Sequence, residues 1–381
     1  MRGLGFRPFF LIIPLIRNKM ICIIDYSQAG ECMNTDNITR PIGVFDSGMG
    51  GISVLAELME WMPNERFVYF GDTKNAPYGV LSKKEVRDLA FEACEYLLEK
   101  KVKAIVVACN TATSAAISEL RKKFPIPIVG MEPALKVAVD SDPDGAVLVM
   151  ATQMTLKEKK FHDLMECFSE EHRIEKLPAP GLVDLVERGV LDGSEAEEEL
   201  RACLGNLTEK GISTIVLGCT HFVFLDEAIK KAYSNVSVVD GNKGTARHLM
   251  NLLMGRGLLN RETLDETDVD LCSSSEDPET IELFKRLLKN RIEKIMNMRK
   301  KMETEKELEK RIIEEIRLAI RESKKLSEVE KRLISYRYGI QRDKITENGK
   351  IARKLNMPKA KIEILMEKAE RKLFNIIKDR I

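Results

Sequence analysis

The sequence predicts an α/β protein: two pseudo-symmetric lobes, each built on a parallel sheet, with the functional site between them, followed by an all-α C-terminal module. Three observations carry this. From Pro41 onward short apolar runs alternate with amphipathic segments, and that alternation restarts at Gly145. Two stretches about 110 residues apart, "IVVACNT" (Ile105–Thr111) and "IVLGCTH" (Ile215–His221), share one grammar: apolar run, small residue, cysteine, polar residue. Beyond about Asn290 the apolar runs stop and a charged helical pattern takes over. Strands that are apolar on both faces and separated by helices belong to parallel sheets covered on two sides.

In chain order, "PIGVFDSG" reads as a strand ending in a glycine-rich turn, and "GISVLAELMEWM" as an amphipathic helix. "RFVYFGD" is a strand. "SKKEVRDLAFEACEYLLEK" is a helix opening with Ser82 and Glu85, the spacing of a capping box. "KAIVVAC" and "IPIVGM" are strands flanking the helix "TSAAISELRKKF". The second lobe runs through strand "GAVLVMAT", one helix over "LKEKKFHDLMECF", the segment "HRIEKLPAPGLVDLVERG", helix "SEAEEELRACLGNLTEKG", strand "STIVLGCT", a helix through "LDEAIKKAY" and strand "VSVVDG".

The chain has 381 residues and a net charge of +1, a globular composition with room for more than one core. The balance hides an asymmetry. Residues 291–381 hold 27 Lys/Arg against 16 Asp/Glu, whereas residues 1–290 hold 34 against 44. An acidic body therefore carries a basic tail, the pattern of an added module with its own partner. The eight cysteines form no Cys-x-x-Cys and no close group with the four histidines, which argues against a zinc site and a disulfide scaffold and fits a reducing cytoplasm. The N-terminal apolar run, Phe9–Ile16, is interrupted by Pro14 and is too short to span a bilayer. It reads as an over-extended start, with Met20 or Met33 as the initiator, in preference to an export signal.

The chemistry-bearing feature is the pair of strand-tip thiols, Cys109 and Cys219. A lone cysteine at a strand end is usually packing. Two in matching positions, followed by Asn110 and Thr111 in one case and Thr220 in the other, point to function. Ligands in open α/β sheets sit at the carboxyl ends of the strands. A helix start there favours a thiolate, and Asn110 and Thr111 stand where a cap is expected. Two thiols facing one cleft suit proton abstraction from a carbon by one and proton return to the opposite face by the other. Around them, "FDSGMGG" offers Asp46 and Ser47, as plain helix caps or as site groups. Its glycines match neither nucleotide-loop signature. "GDTKNAPYG" is a polar loop that brings Tyr78 and Gly79 to the same sheet end. His221 could tune the Cys219 proton, and Glu187 is either a solvated helix residue or a cleft residue.

Together, "PIGVFDSGMGGISVL", "YFGDTKNAPYG", "VVACNTATSAA", "IPIVGMEPA", "VMATQMT", "LVDLVERG", "IVLGCTHFVFL" and "VVDG" resemble the glutamate racemases of the aspartate/glutamate racemase superfamily, over about Pro41 to Asn290. The resemblance implies a cofactor-independent isomerase that supplies D-glutamate for peptidoglycan, cytoplasmic, homodimeric and without a metal. It makes Cys109 and Cys219 the acid/bases, Asp46 and His221 their proton partners and Glu187 a polar helper. Asp46, Ser47, Tyr78, Gly79, Asn110, Thr111, Thr152, Thr220 and His221 match substrate-contacting positions. Relatives acting on aspartate or hydantoins typically carry Glu after the second Cys-Thr, so "GCTH" favours glutamate. An aspartate racemase, or a DNA-binding regulator with a racemase-like sensor body, are the alternatives. The chain departs from the family at Val223, Ala179, Glu158, Phe161 and Gly241.

The resemblance does not reach the tail. "LSEVEKRLISYRYG" with "ITENGKIARKLNMPKAKIEILMEKAERKL" resembles the DNA-binding fourth region of sigma-70-type factors, a helix-turn-helix whose recognition helix starts near Pro358. Lys354, Lys359, Lys361 and Lys368, with Arg371 and Lys372, are the candidate phosphate contacts. Ala360 and Ile364 stand where base-reading polar side chains often lie, so the partner is either nucleic acid or a protein. The expected organisation is a leader (1–40), lobe 1 (41–131 with 240–290), lobe 2 (132–239), a helical linker (291–320) and the helix-turn-helix-like module (321–381).

Overall fold

The computed structural model describes residues 35–141, 145–169, 172–207, 209–262, 268–340, 345 and 347–377. Most of the segment read as a leader therefore lies outside the described residues. Its end is a short helix, α1 (Thr35–Ile38), whose Ile38 carbonyl accepts a hydrogen bond from Lys103.

The first sheet is built from β1 (Ile42–Asp46), β2 (Phe67–Gly71), β3 (Ala104–Val107), β4 (Ile128–Gly130) and β9 (Val269–Ser273), in the order β4-β3-β1-β2-β9, all parallel. The second holds β5 (Ala146–Ala151), β6 (Ile174–Pro178), β7 (Ile212–Leu217) and β8 (Ser237–Asp240), in the order β6-β5-β7-β8, again all parallel. Read from the other edge, the second order is β8-β7-β5-β6. This is the β4-β3-β1-β2 of the first lobe, so the duplication seen in two short motifs extends to four strands of each sheet, with β9 an addition to the first. Strands β3 and β7 occupy equivalent places, which is why their cysteines face corresponding sheet ends.

The helices cover both faces. Lobe 1 carries α2 (Ile52–Trp61), α3 (Lys83–Glu99), α4 (Asn110–Lys123) and α11 (Asn242–Gly255). Lobe 2 carries α5 (Leu135–Ser141), α6 (Gln153–Lys157), α7 (Lys159–Ser169), α8 (Pro180–Glu187), α9 (Gly193–Leu204) and α10 (Asp226–Ala232). The Ser82–Glu85 capping box is present at the start of α3. The single helix expected over Leu156–Phe168 is two, broken at Glu158, where the backbone is extended. Thr152 caps the first of them by accepting from the Thr155 N–H at 3.3 Å.

Strand β9 escapes a periodicity reading. "VDLCS" has no continuous apolar run, because it is a half-exposed edge strand that, among the described residues, pairs only with β2. After it, α12 (Pro278–Glu322) runs unbroken for 45 residues. Its first turns pack on α2 and β9, with Phe284 fully buried edge-on to Tyr69, ring centroids 5.3 Å apart. Position 290, where the composition changes, falls inside this helix. The C-terminal module consists of α13 (Glu328–Tyr338), α14 (Asn348–Leu355) and α15 (Lys359–Ile377). It buries its own apolar residues, Ile334, Ala369 and Leu373 against Ile316 and Ala319 of α12, and Leu333, Ile351, Ile362 and Met366 together. No helix among the described residues is long and apolar enough to cross a membrane.

Candidate active site

Four strand ends build the site. Asp46 ends β1 and Ser47 follows it; both are buried. Cys109 follows β3 and is the N-cap of α4, its sulfur accepting from the Ala112 N–H at 3.4 Å and lying 3.4 Å from Ser47 Oγ. A cap was expected of Asn110 or Thr111, but the thiol itself takes that place, and the two polar residues form the first turn. Thr111 Oγ1 reaches across to Thr152 Oγ1 of the second lobe at 2.9 Å. Cys219 follows β7, 3.6 Å from His221 Nδ1. Thr220 likewise makes no cap: its hydroxyl donates to Asp46 Oδ1 at 3.3 Å, joining the lobes.

Glu187, the last residue of α8, is not a solvated helix residue. Its Oε1 lies 2.5 Å from His221 Nε2 and accepts the Met49 N–H at 3.1 Å. The glycines of "FDSGMGG" permit this approach. A Cβ at Gly48 would sit 2.1 Å from Glu187 Oε1, and one at Gly50 would sit 2.5 Å from His221 Nδ1 and 2.5 Å from Thr220 Oγ1. The loop is thus a close-approach surface between lobes, which accounts for a glycine-rich turn with no nucleotide signature.

Ser47, Tyr78, Gly79, Cys109, Asn110, Thr111, Thr152, Cys219, Thr220 and His221 line one cavity of about 180 Å³, together with apolar side chains such as Val80 and Val183. Asp46 lies fully buried beside it, hydrogen-bonded to Thr220, and Glu187 lies behind His221. The sequence reading missed Asp72, which fixes the Tyr78 ring by accepting its hydroxyl at 2.7 Å, and Tyr69, whose hydroxyl donates to the Gly48 carbonyl at 2.7 Å. Both lie in or beside the segment already singled out, but nothing in their spacing marks them.

The electrostatics correct one expectation. Helix α4 does offer the Cys109 sulfur an N–H, yet burial pushes this thiol up to about 12, the charge of Asp46 adds to the rise, and the Ser47 and Ala112 hydrogen bonds only oppose it. Burial raises the Asp46 carboxyl as well, against the His221 charge and the N–H groups of Gly51 and Gly48. Burial works against charge on His221, but hydrogen bonds to Cys219 and Glu187 and their charges outweigh it and hold the imidazole well above its ordinary value. Burial and the Asp46 charge thus favour the neutral thiol at Cys109, and contact with Cys219 and Glu187 favours the protonated imidazole at His221.

The Asp/Glu/Hydantoin racemase family matches residues 53–249, more than half of the chain. The chain belongs to this family. A glutamate racemase of Clostridium botulinum is 48% identical over 257 residues, which is 67% of this chain and 99% of the relative. One from Clostridium perfringens is 45% identical over 258 residues, again 67% and 99%. Among solved structures, the glutamate racemase of Francisella tularensis in complex with D-glutamate is similar at 28% identity and a TM-score of 0.58, covering 66% of this chain and 94% of that one. The Escherichia coli glutamate racemase with L-glutamate and the activator UDP-MurNAc-Ala is similar at 30% identity and a TM-score of 0.56, covering 66% and 95%. The relatives are thus matched nearly whole, while about a third of this racemase-family chain extends beyond them.

In that remainder, Lys354, Lys359, Lys361 and Lys368 are all exposed on α14 and α15. They do not form an unbroken basic face. Lys359 pairs with Glu363 at 3.7 Å, Arg371 with Glu367 at 2.6 Å, and Lys372 with Glu330 at 2.9 Å, while Lys354 lies over the Tyr336 ring. Ile364, 69% exposed, stands among them.

Proposed function

We propose that this chain is a glutamate racemase that interconverts L- and D-glutamate with two thiols and supplies D-glutamate for cell-wall peptidoglycan. The observation that carries the reading is that Cys109 and Cys219, from equivalent strands of the two lobes, line one small cavity. Glutamate is the substrate named for the similar Francisella and Escherichia structures. Asn110, Thr111 and Thr220 stand at the strand tips, where polar groups and helix-start N–H groups can take the substrate's α-carboxylate. One sulfur, as thiolate, removes the α-proton; the other, as thiol, delivers a proton to the opposite face, and the stereocentre inverts. Asp46 is the buried carboxyl group beside Cys109, and His221, held by Glu187, is the proton partner of Cys219. The cation lost on ionising each thiol is a proton, so these neighbours matter as the groups that receive or return it.

The test is exchange in deuterated water. Glutamate should gain one α-deuterium with inversion, and Cys109→Ala and Cys219→Ala should each abolish racemisation. Turnover retained in both variants would sink the two-thiol mechanism, and faster turnover of aspartate than of glutamate would move the substrate. For the tail, the exposed lysines of α14 and α15 support a reading as a nucleic-acid contact, limited to backbone phosphates because Ala360 and Ile364 offer no polar reader. A salt-dependent gel shift of the full chain on mixed-sequence DNA tests it; no shift at low salt would reject it.

A further inference from the structure

The buried arginine at the junction of α12 with both lobes has no role in the chemistry above. Arg291 is 7% exposed, its guanidinium 3.6 Å from Asp226 and 3.9 Å from Asp240, and its Nε has no hydrogen-bond partner among the described residues. Lys294, one turn further along, contacts the same Asp226 carboxylate and also Glu227 at 2.9 Å. Asp226 opens α10 directly after the 3-10 turn His221–Leu225, so the two cations grip the far end of the segment that begins with Cys219.

A second thread reaches the near end. Asp240 accepts the Asn242 N–H at 2.9 Å, the Asn242 side chain donates to Ser53 Oγ at 3.1 Å, and Ser53 donates to the Thr220 carbonyl at 3.3 Å. That carbonyl lies between Cys219 and His221. Both ends of the loop are therefore tied to α2 and α12, in addition to the hold that Glu187 of its own lobe has on His221. Removing one member of a buried, charged contact leaves its partners uncompensated and free to rearrange.

We propose that Arg291 and Lys294 are positioning residues for the Cys219–His221 loop, so that its placement in the cleft is set by α12, the helix that continues into the C-terminal module. This rests on the glutamate racemase reading. The wild-type chain is assayed beside its variants, so a chain that turns over neither enantiomer defeats that reading, whereas active variants defeat this inference alone.

The full chain is compared with Arg291→Gln, Arg291→Lys and Lys294→Gln, measuring kcat and KM in both directions, the primary effect of α-deuterated glutamate, and the thermal melt. A loop misplaced by a fraction of an ångström lowers kcat in Arg291→Gln by about 10- to 100-fold. KM rises by a smaller factor than kcat falls, because Thr220 moves with the loop while Ser47, Asn110 and Thr111 on the other wall stay in place, and Arg291→Lys recovers most of the loss. The equilibrium constant between enantiomers is unity, so kcat/KM falls equally both ways. The isotope effects diverge instead: larger in the direction where Cys219 removes the label, smaller where Cys109 does. An unchanged kcat in folded Arg291→Gln overturns the inference, as does a loss without divergence that follows the melting temperature. If Arg291→Gln does not fold, Lys294→Gln decides: a kcat lowered about threefold or more with diverging isotope effects supports the role, and an unchanged kcat overturns it.

Discussion

Gly50→Ala tests whether the glycine-rich turn exists to let His221 in. The added Cβ would lie 2.5 Å from His221 Nδ1 and 2.5 Å from Thr220 Oγ1, against ordinary contacts of 3.4–4 Å. Either the turn or the imidazole must retreat by about 0.9 Å, the shortfall to 3.4 Å. His221 has little freedom, held between Cys219 at 3.6 Å and Glu187 at 2.5 Å. Overpacking of this kind costs ~1–3 kcal/mol. A displacement near 1 Å at a proton-transfer group costs about 100-fold in kcat. The assay is the circular dichroism of glutamate as it racemises, read beside the thermal melt. Gly255→Ala is the control, since none of the described residues comes within 4 Å of the Cβ it would add. Gly50→Ala with kcat within threefold of wild type and an unshifted melt would refute the reasoning.

Four further outcomes follow from the site and its supports. Because burial holds the Cys109 thiol at about 12, its alkylation by iodoacetamide, followed by peptide mass mapping, should rise about tenfold per pH unit from 7 to 10 without levelling off; a plateau near pH 8 would contradict a buried neutral thiol. The same rise bears on stability: a thiol raised on folding stabilises below its unfolded value near 9, and that contribution is lost as pH climbs toward 12, so the alkaline fall in melting temperature should be shallower in Cys109→Ala. Glu187→Gln removes one of the groups that hold His221 protonated, so the imidazole resonances should titrate at lower pH than in wild type, with kcat reduced; an unmoved titration would deny the coupling. Phe284→Ala should cost about 3–5 kcal/mol in thermal or urea unfolding, because the ring is fully buried against Tyr69; a loss under 1 kcal/mol would mean that α12 is not part of the body.

Much of this protein is legible without coordinates, for a physical reason. A strand covered on both faces must be apolar throughout, so β1, β3, β5 and β7 stand out as continuous runs, and the residue after each run falls at the sheet end where ligands bind. That places Asp46, Cys109, Thr152 and Cys219 with no knowledge of their surroundings. Edge strands follow no such rule, and β9, with Asp270 exposed and its other residues only half-buried, gives no run to find. The break at Glu158 is equally silent, because the apolar spacing continues through it.

The sequence by itself determined the two lobes, their duplication and the identity of the paired thiols, since each follows from local patterning along a few residues. The tertiary structure alone decided the protonation chemistry. A helix start read locally favours a thiolate at Cys109, but burial of the thiol and the charge of the nearby Asp46 carboxyl act through space and reverse the direction. It alone placed Glu187 on His221, 34 positions apart, and Arg291 on Asp226 and Asp240. Contacts of that separation depend on how the lobes close on one another and on α12, and no periodicity in the chain encodes that closure.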